Sequence, residues 1–521
     1  MTREIAWTVV AGGLLGLAWP GSSIRLSRSC FWSPISPRSG ASTRRRIGLA
    51  GLTGTLAVGL ATGETTAATL SSYFGLGGAG LAVAWLVAQQ ILGVLPIAVF
   101  ALLTGGVERE SPIRAFFSVG AAWVVGETLR SLLFPGAWLS LASALSTTPD
   151  LLGSAAWVGE SGVSFWLAGL GALAYRGSFG PDRRRAWMAA GGVIAVLVAQ
   201  GAWNRFGAMA PDSGWVRGHE FPDAAGLDVA LVQSGVDSRH RPEIPSDAED
   251  LDRLIALSLE RGRGADLLVW PEGALRGIWP ANAGLLDREL LRSLGVGHLL
   301  FGAPWLEDPM AGGSLAVAAI LVDSEARVVG RHLKTRLVPL AEDRNVVPWP
   351  GRDRSKLGYS PSPSADLLEI GPLRLGVAIC YEALFPSITR GQSRAGAGIL
   401  VDLSNESWLG SDSQGRAHML AASVLRTIEV HRPTLRATAT GFTTALDATG
   451  RITARLPENG PGVLRVRVQA PTGSTPFALL GPLPILAACF GWTALRLGRD
   501  REWRRTDLAV TPDRPSVRSP S

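Results

Sequence analysis

Three residues able to carry out acyl chemistry together stand at the ends of apolar runs. Glu272 follows ADLLVW and Pro271, Lys334 follows VVGRHL, and Cys380 follows LRLGVAI and precedes Tyr381 and Glu382. A cysteine attacks as its thiolate and so needs a base, and an acyl transfer needs a cation or a donor where the oxyanion develops. One carboxylate, one ammonium and one thiol meet those needs. Each residue also has a plainer reading: a cysteine ending an apolar strand is an ordinary core residue, a glutamate there starts a helix, and a lysine is a solvated charge. Lys334 is the informative one. The chain uses arginine almost throughout, with Lys334 and Lys356 its only lysines, and a compact ammonium is not interchangeable with a planar guanidinium.

The elements that must position these residues read as strands. From Gly226 to Gln469 the sequence alternates as a soluble α/β domain does: LDVALVQSG, ADLLVW, VGHLLFG, SLAVAAILVD, LRLGVAIC, GILVDLS and LRATATGFTTALD are short apolar runs rich in β-branched residues. Ser246 to Arg261 has helical spacing, opened by Ser246 with Glu249 three residues on as a capping box. Asp323 to Arg327 reads as a hairpin turn, which predicts mixed rather than purely parallel sheets. Trp305, Trp349 and Trp408 fall in expected loops, where they would form either an apolar rim facing lipid or ordinary packing.

The rest of the chain has a different character. Its 521 residues have a positive mean hydropathy and only 18% are charged, which predicts a membrane part beside the soluble one. Residues 1–205 are expected to form a membrane domain of six or seven helices, with candidate spans Ile5–Trp19, Ile47–Thr62, Leu76–Leu103, Ala115–Leu133, Gly162–Tyr175 and Ala186–Trp203. The first is short enough that a signal peptide competes with it, and the side of the amino terminus depends on whether Ile24–Ser39 holds a further segment. Residues 477–495 are a last span. Arg183 to Arg185 and the arginines from Arg496 to Arg505 then mark the cytoplasmic side, leaving residues 226–469 on the outer side. Residues 499–521 are polar and expected to be disordered. Glu127 and Arg130 are the main charges within a span, too few to suggest an ion pathway.

Composition excludes several functions. The net charge of +7 follows from arginines at loop positions, and no basic stripe interleaves with aromatics, so no nucleic-acid partner is expected. Cys30, Cys380 and Cys489 form no paired framework, and the six histidines lack ligand spacing, so neither a disulfide scaffold nor a metal site is expected, and no cofactor.

The motifs in order, WPEGAL, LKTRLVPLAE and GVAICYE, are similar to those of the nitrilase superfamily with its Glu-Lys-Cys triad. Together with GETLRSLLFPGAWLSLA, SNESWLG and TIEVHRPTLRATATG, and with this domain lying before the last of several spans, the chain resembles the apolipoprotein N-acyltransferase family. The resemblance implies a multi-pass α-helical membrane domain plus an α/β nitrilase-like α-β-β-α sandwich domain. It implies Glu272 as general base, Lys334 as the oxyanion-side lysine and Cys380 as nucleophile, supported by Glu342, Tyr381 and Glu382. It also implies a membrane phospholipid as acyl donor, the α-amino group of a diacylglyceryl apolipoprotein as acceptor, and a monomer in the bacterial cytoplasmic (inner) membrane with its catalytic domain on the periplasmic or outer side. Ala341, the DRNVVP after Glu342, and Ala439 depart from the family pattern. A membrane-anchored amidase with water as acceptor, or an altered paralogue serving as a binding module, are the alternatives.

Overall fold

The computed structural model describes residues 65–71, 77–89, 95–207, 226–236, 247–306, 314–343, 359–410 and 414–510, except positions 68, 134, 137, 340 and 341. The expected spans Ile5–Trp19 and Ile47–Thr62, together with the Ile24–Ser39 segment, Cys30, Ser246, Ala341, Trp349, Lys356 and residues 511–521, lie outside the described residues.

Among the described residues twelve strands form the soluble part. They are β1 (Gly226–Gln233), β2 (Leu267–Val269), β3 (His298–Leu306), β4 (Leu315–Asp323), β5 (Val328–Leu333), β6 (Leu367–Ile370), β7 (Leu373–Ile379), β8 (Ile399–Ser404), β9 (Thr434–Thr438), β10 (Thr444–Leu446), β11 (Ile452–Arg455) and β12 (Gly462–Gln469). They pair into two six-stranded sheets, in the orders β12-β1-β2-β3-β4-β5 and β11-β10-β9-β8-β7-β6. Both sheets are mixed: β1, β2 and β3 run parallel, as do β7, β8 and β9, with antiparallel strands outside them. Side-chain alternation decides the layering. Val229 and Leu231 face a core between the sheets shared with Val377, Ile379, Val401 and Leu403, while Ala230 and Val232 face the opposite way with Leu268 and Trp270.

The described helices are α1 (Gly78–Gln89), α2 (Leu95–Leu103), α3 (Pro112–Leu133), α4 (Ala155–Phe179), α5 (Arg183–Ala202), α6 (Asp247–Leu257), α7 (Arg288–Leu294), α8 (Pro386–Arg394), α9 (Gln414–Val430), α10 (Pro476–Leu480) and α11 (Leu483–Val510). Leu254 of α6 and Leu291 and Leu294 of α7 cover the outer face of the first sheet. On the second sheet Gln392 of α8 donates to the Val377 carbonyl and Ser423 of α9 to Asp402. The result is an α-β-β-α sandwich. The hairpin expected at Asp323–Arg327 joins β4 to β5, with Asp323 Oδ1 accepting from the Glu325 and Arg327 amides, both at 2.9 Å.

Of the expected span Leu76–Leu103, the described residues hold helices α1 and α2, while Leu76 and residues 90–94 lie outside the described residues. One expectation for the apolar segments is corrected. The last helix continues past Leu495 to Val510, so residues 499–510, expected to lack structure, are helical. One helix among the described residues, Arg183–Arg205, is long and apolar enough to cross a membrane. It leaves Trp187, Met188, Ile194, Val196, Val198 and Trp203 exposed. α3, α4 and α11 pack together through Phe116, Phe165, Leu173 and Cys489.

Candidate active site

The site gathers where parallel strands of both sheets end. After β2 the chain turns through Trp270 and Pro271 to Glu272. Trp270 is fully buried and its Nε1 donates to Ser258 Oγ at 3.0 Å, which anchors the turn. Gly302 on the neighbouring strand lets that turn come close: a Cβ there would sit 2.7 Å from the Glu272 Cα. Any larger residue at 302 would push the carboxylate away.

Lys334 follows β5 and is fully buried. Its Nζ donates to Glu272 Oε1 at 3.0 Å and to Glu342 Oε1 at 2.7 Å. Glu272 Oε2 accepts from the Asn405 amide at 3.0 Å and Glu342 Oε2 from the Val338 amide at 2.8 Å, so both carboxylates are held from both sides. Burial alone would lower the ammonium's pKa, but Glu272 and Glu342 outweigh it and hold Lys334 well above the usual lysine range. Burial, with Glu342 adding to it, raises the Glu272 carboxyl despite Lys334. A cation clamped between two carboxylates, one raised towards neutrality, can hold an oxyanion and move a proton.

Cys380 ends β7 with φ of 53°, a left-handed conformation that ordinary side chains avoid. This strained elbow opens a short 3-10 turn, Cys380–Leu384, and the thiol is buried. Burial first, then the charge of Glu272, push the thiol well above its usual pKa, with Lys334 and the Ser404 hydroxyl acting the other way. The resting group is therefore a thiol, which needs a base at the moment of attack.

Glu382 is taken up by contacts within the fold. Its Oε1 accepts from the Thr335 amide at 2.6 Å, Thr335 Oγ1 at 2.7 Å and the Arg336 amide at 3.3 Å, and its Oε2 accepts from the Ile379 amide at 2.8 Å and His332 Nε2 at 3.0 Å. Burial works to raise this carboxyl, but His332 and the other donors win and hold it below the usual range. One carboxylate thereby fastens the chain around Lys334 to the elbow around Cys380. Tyr381 points elsewhere: its hydroxyl donates to the Pro135 carbonyl at 2.5 Å, in the loop that leaves α3. Gly136, at φ 104°, packs so closely on Leu384 that a Cβ would lie 3.2 Å from it. The elbow therefore rests directly on the helical part of the molecule.

Two buried charge clusters support this arrangement. Beneath the loop after β8, Arg436 donates to Asp402 Oδ2 at 2.8 Å and to Glu406 Oε1 at 2.5 Å, steadying the segment that carries the Asn405 amide. At the junction with α4, Arg426 donates to Glu160 Oε2 at 2.6 Å and to Glu429 Oε1 at 3.1 Å, and the Glu160 amide donates to Glu429 at 2.8 Å. Glu160 follows Gly159, whose φ of 66° kinks α4 and whose missing Cβ makes room for Phe477.

The structure brings Glu272, Lys334 and Glu342 into one hydrogen-bonded cluster and sets Cys380 within reach of their charges. It assigns Tyr381 and Glu382 to positioning contacts. Trp305 is corrected from a loop position to strand β3, and of its two expected roles it takes packing, buried with Arg331 stacked 4.6 Å over its ring. Trp408 packs half-buried against the inter-sheet core. Ala439 is buried, its amide donating to the Ser404 carbonyl at 3.0 Å and its carbonyl accepting from Gly235 at 2.8 Å. Sequence reasoning missed Asn405, His332, Thr335 and Pro135. SNESWLG singled out the segment of Asn405, but a backbone amide carries no signature of its own. Among the described residues no His, Cys, Asp and Glu cluster is suited to a metal ion.

A two-sheet α-β-β-α sandwich with a Glu-Lys-Glu cluster beside a strand-end cysteine defines a domain of the carbon-nitrogen hydrolase class, and residues 228–477 match that family. Residues 11–173 match the N-terminal domain of apolipoprotein N-acyltransferase. The chain is 30% identical over 404 residues to the apolipoprotein N-acyltransferase of Bordetella bronchiseptica, covering 70% of each chain, and 27% identical over 492 residues to that of Geobacter metallireducens, covering 91% of each. A solved structure, Saccharomyces cerevisiae Nit3 of the nitrilase superfamily, matches with TM-score 0.37 and 18% identity over 47% of this chain and 90% of its own. The chain belongs to the apolipoprotein N-acyltransferase family.

Proposed function

We propose that this protein transfers an acyl chain from a membrane phospholipid, through a thioester on Cys380, to the α-amino group of the diacylglyceryl-cysteine of an apolipoprotein. The observation that carries the reading is the Glu272–Lys334–Glu342 cluster set beside a buried, backbone-strained Cys380 whose elbow rests on the helical domain. Glu272 takes the Sγ proton as sulfur attacks the donor's ester carbonyl, and Lys334 with nearby backbone amides holds the tetrahedral oxyanion. The carbon-oxygen bond then breaks and Glu272 returns the proton to the departing glycerol oxygen, releasing a lysophospholipid and leaving the thioester. In the second half the acceptor amine attacks the thioester and Glu272 takes its proton. The carbon-sulfur bond breaks as an amide forms, and the proton returns to Cys380. Water in place of the amine would make the same site a hydrolase.

Both lipid substrates reside in a bilayer, and this reading gives the apolar helices their purpose. α3, α4, α5 and α11 span the cytoplasmic membrane together with segments nearer the amino terminus, and residues 226–469 lie on its outer face. Arg183 to Arg185 at the start of α5 and Arg496, Arg499, Arg501, Arg504 and Arg505 in α11 hold those helix ends inside. Reporter fusions test this: a fusion near Asp447 should be active only outside the cytoplasm and one after Arg505 only inside. The opposite pattern would sink the acyltransferase reading, because a cytoplasmic site could not meet a translocated lipoprotein.

A further inference from the structure

We propose that Arg336 is the phosphate-binding residue for the acyl donor, its guanidinium holding the phosphodiester of a bilayer phospholipid while the neighbouring ester reaches Cys380. The inference rests on the acyltransferase reading above and adds what recognises the donor. Lys334 cannot take that role, because it is sealed from solvent and occupied by Glu272 and Glu342. A phospholipid carries its anionic phosphate only a few bonds from the reacting ester, so a second cation must stand close to the elbow and open to the lipid.

Arg336 stands there. Its amide donates to Glu382 Oε1, the same oxygen that receives both Thr335 donors, so its backbone is fixed relative to Cys380 two residues before Glu382. Its guanidinium carbon lies 5.5 Å from the centre of the Phe385 ring. That ring in turn meets Tyr381 edge-on at 5.1 Å, and Tyr381 reaches Pro135 of the helical domain. The guanidinium thus occupies the seam between nucleophile elbow and membrane-side loop. It is close enough to Tyr381 that its charge works against burial, which otherwise raises that phenol.

Its surroundings leave it available. The Arg336 side chain is exposed, and among the described residues no carboxylate pairs with it, whereas Arg276 is matched by Asp250, Arg374 by Glu369 and Arg465 by Asp228. Its contact with the Phe385 ring limits the freedom of this exposed side chain. A guanidinium presented this way matches two phosphate oxygens at once, a geometry that the ammonium of lysine does not reproduce.

The test uses full-length protein in detergent micelles and follows thioester formation on Cys380 in single turnover with two donors. One is a phosphatidylglycerol, the other a p-nitrophenyl ester of the same fatty acid, which lacks phosphate. Arg336→Gln should lower the ratio of phospholipid to p-nitrophenyl ester reactivity by roughly 10- to 100-fold, the range of a lost charge-assisted contact. The change should appear as a raised half-saturating phospholipid concentration, and Arg336→Lys should fall in between. An unchanged ratio would overturn the proposal, whether both donors lose equally, as for a structural residue, or neither does, as for a solvated charge. A wild-type protein that forms no thioester with either donor would instead overturn the acyltransferase reading beneath it.

Discussion

Replacing Lys334 by methionine removes the fully buried ammonium that contacts Glu272 and Glu342 at 3.0 and 2.7 Å, and leaves two largely buried carboxylates facing each other. Breaking a buried ion pair by removing one partner costs about 3–5 kcal/mol, because the remaining charge is neither hydrated nor paired. A domain of this size shifts its melting temperature by about 2–4 °C per kcal/mol, so Lys334→Met should melt roughly 6–20 °C below wild type. Adding Glu342→Gln removes the surplus negative charge and should restore most of that loss. Activity should not follow. Without the ammonium at the developing oxyanion, thioester formation should stay about two to three orders of magnitude below wild type in both variants, and Lys334→Arg should fail to rescue it. Differential scanning fluorimetry and single-turnover acylation, run on the same preparations, separate the two effects. A Lys334→Met protein melting at the wild-type temperature would refute the buried-cluster argument, and a double variant regaining both stability and rate would refute the oxyanion role.

Two further variants probe the elbow and the domain junction. Cys380→Gly should be more stable than Cys380→Ala by about 1–3 kcal/mol, because only glycine adopts a φ of 53° without strain; equal melting temperatures would show that the elbow stores none. Burial, reinforced by Glu160 and opposed by Arg426, pushes the Glu429 carboxyl up from 4.5 to about 7. The folded protein therefore holds this proton more tightly than the unfolded chain does. The stability this provides is complete below about pH 4.5 and is lost as pH rises through 7, a change of about 3 kcal/mol. Glu429→Gln should flatten the decline between pH 5 and pH 8, and an equally steep decline in the variant would exclude Glu429 as its source.

Much of the candidate site was legible because its residues sit at strand ends. Apolar runs terminated by Glu272, Lys334 and Cys380 announce both a strand and a functional group, and the structure places all three at one end of the sandwich. Glu382 and Asn405 were less legible for a physical reason. Glu382 acts only when β5 and β7, some fifty positions apart, bring Thr335 and His332 to it, and Asn405 acts through its backbone. β12 went unnamed although Leu464, Val466 and Val468 alternate with Arg465 and Arg467, because a strand solvated on one face has half the apolar signal of a buried one.

The central claim is that Cys380 carries the acyl group. Intact-mass and peptide mass spectrometry of protein purified from membranes, before and after hydroxylamine treatment, tests it most directly. The account predicts a fatty-acyl mass on the Cys380 peptide that hydroxylamine removes, that is absent from Cys380→Ala, and that is absent or greatly reduced in Glu272→Gln. A hydroxylamine-sensitive acyl group on Cys489, or undiminished adduct in Glu272→Gln, would contradict it.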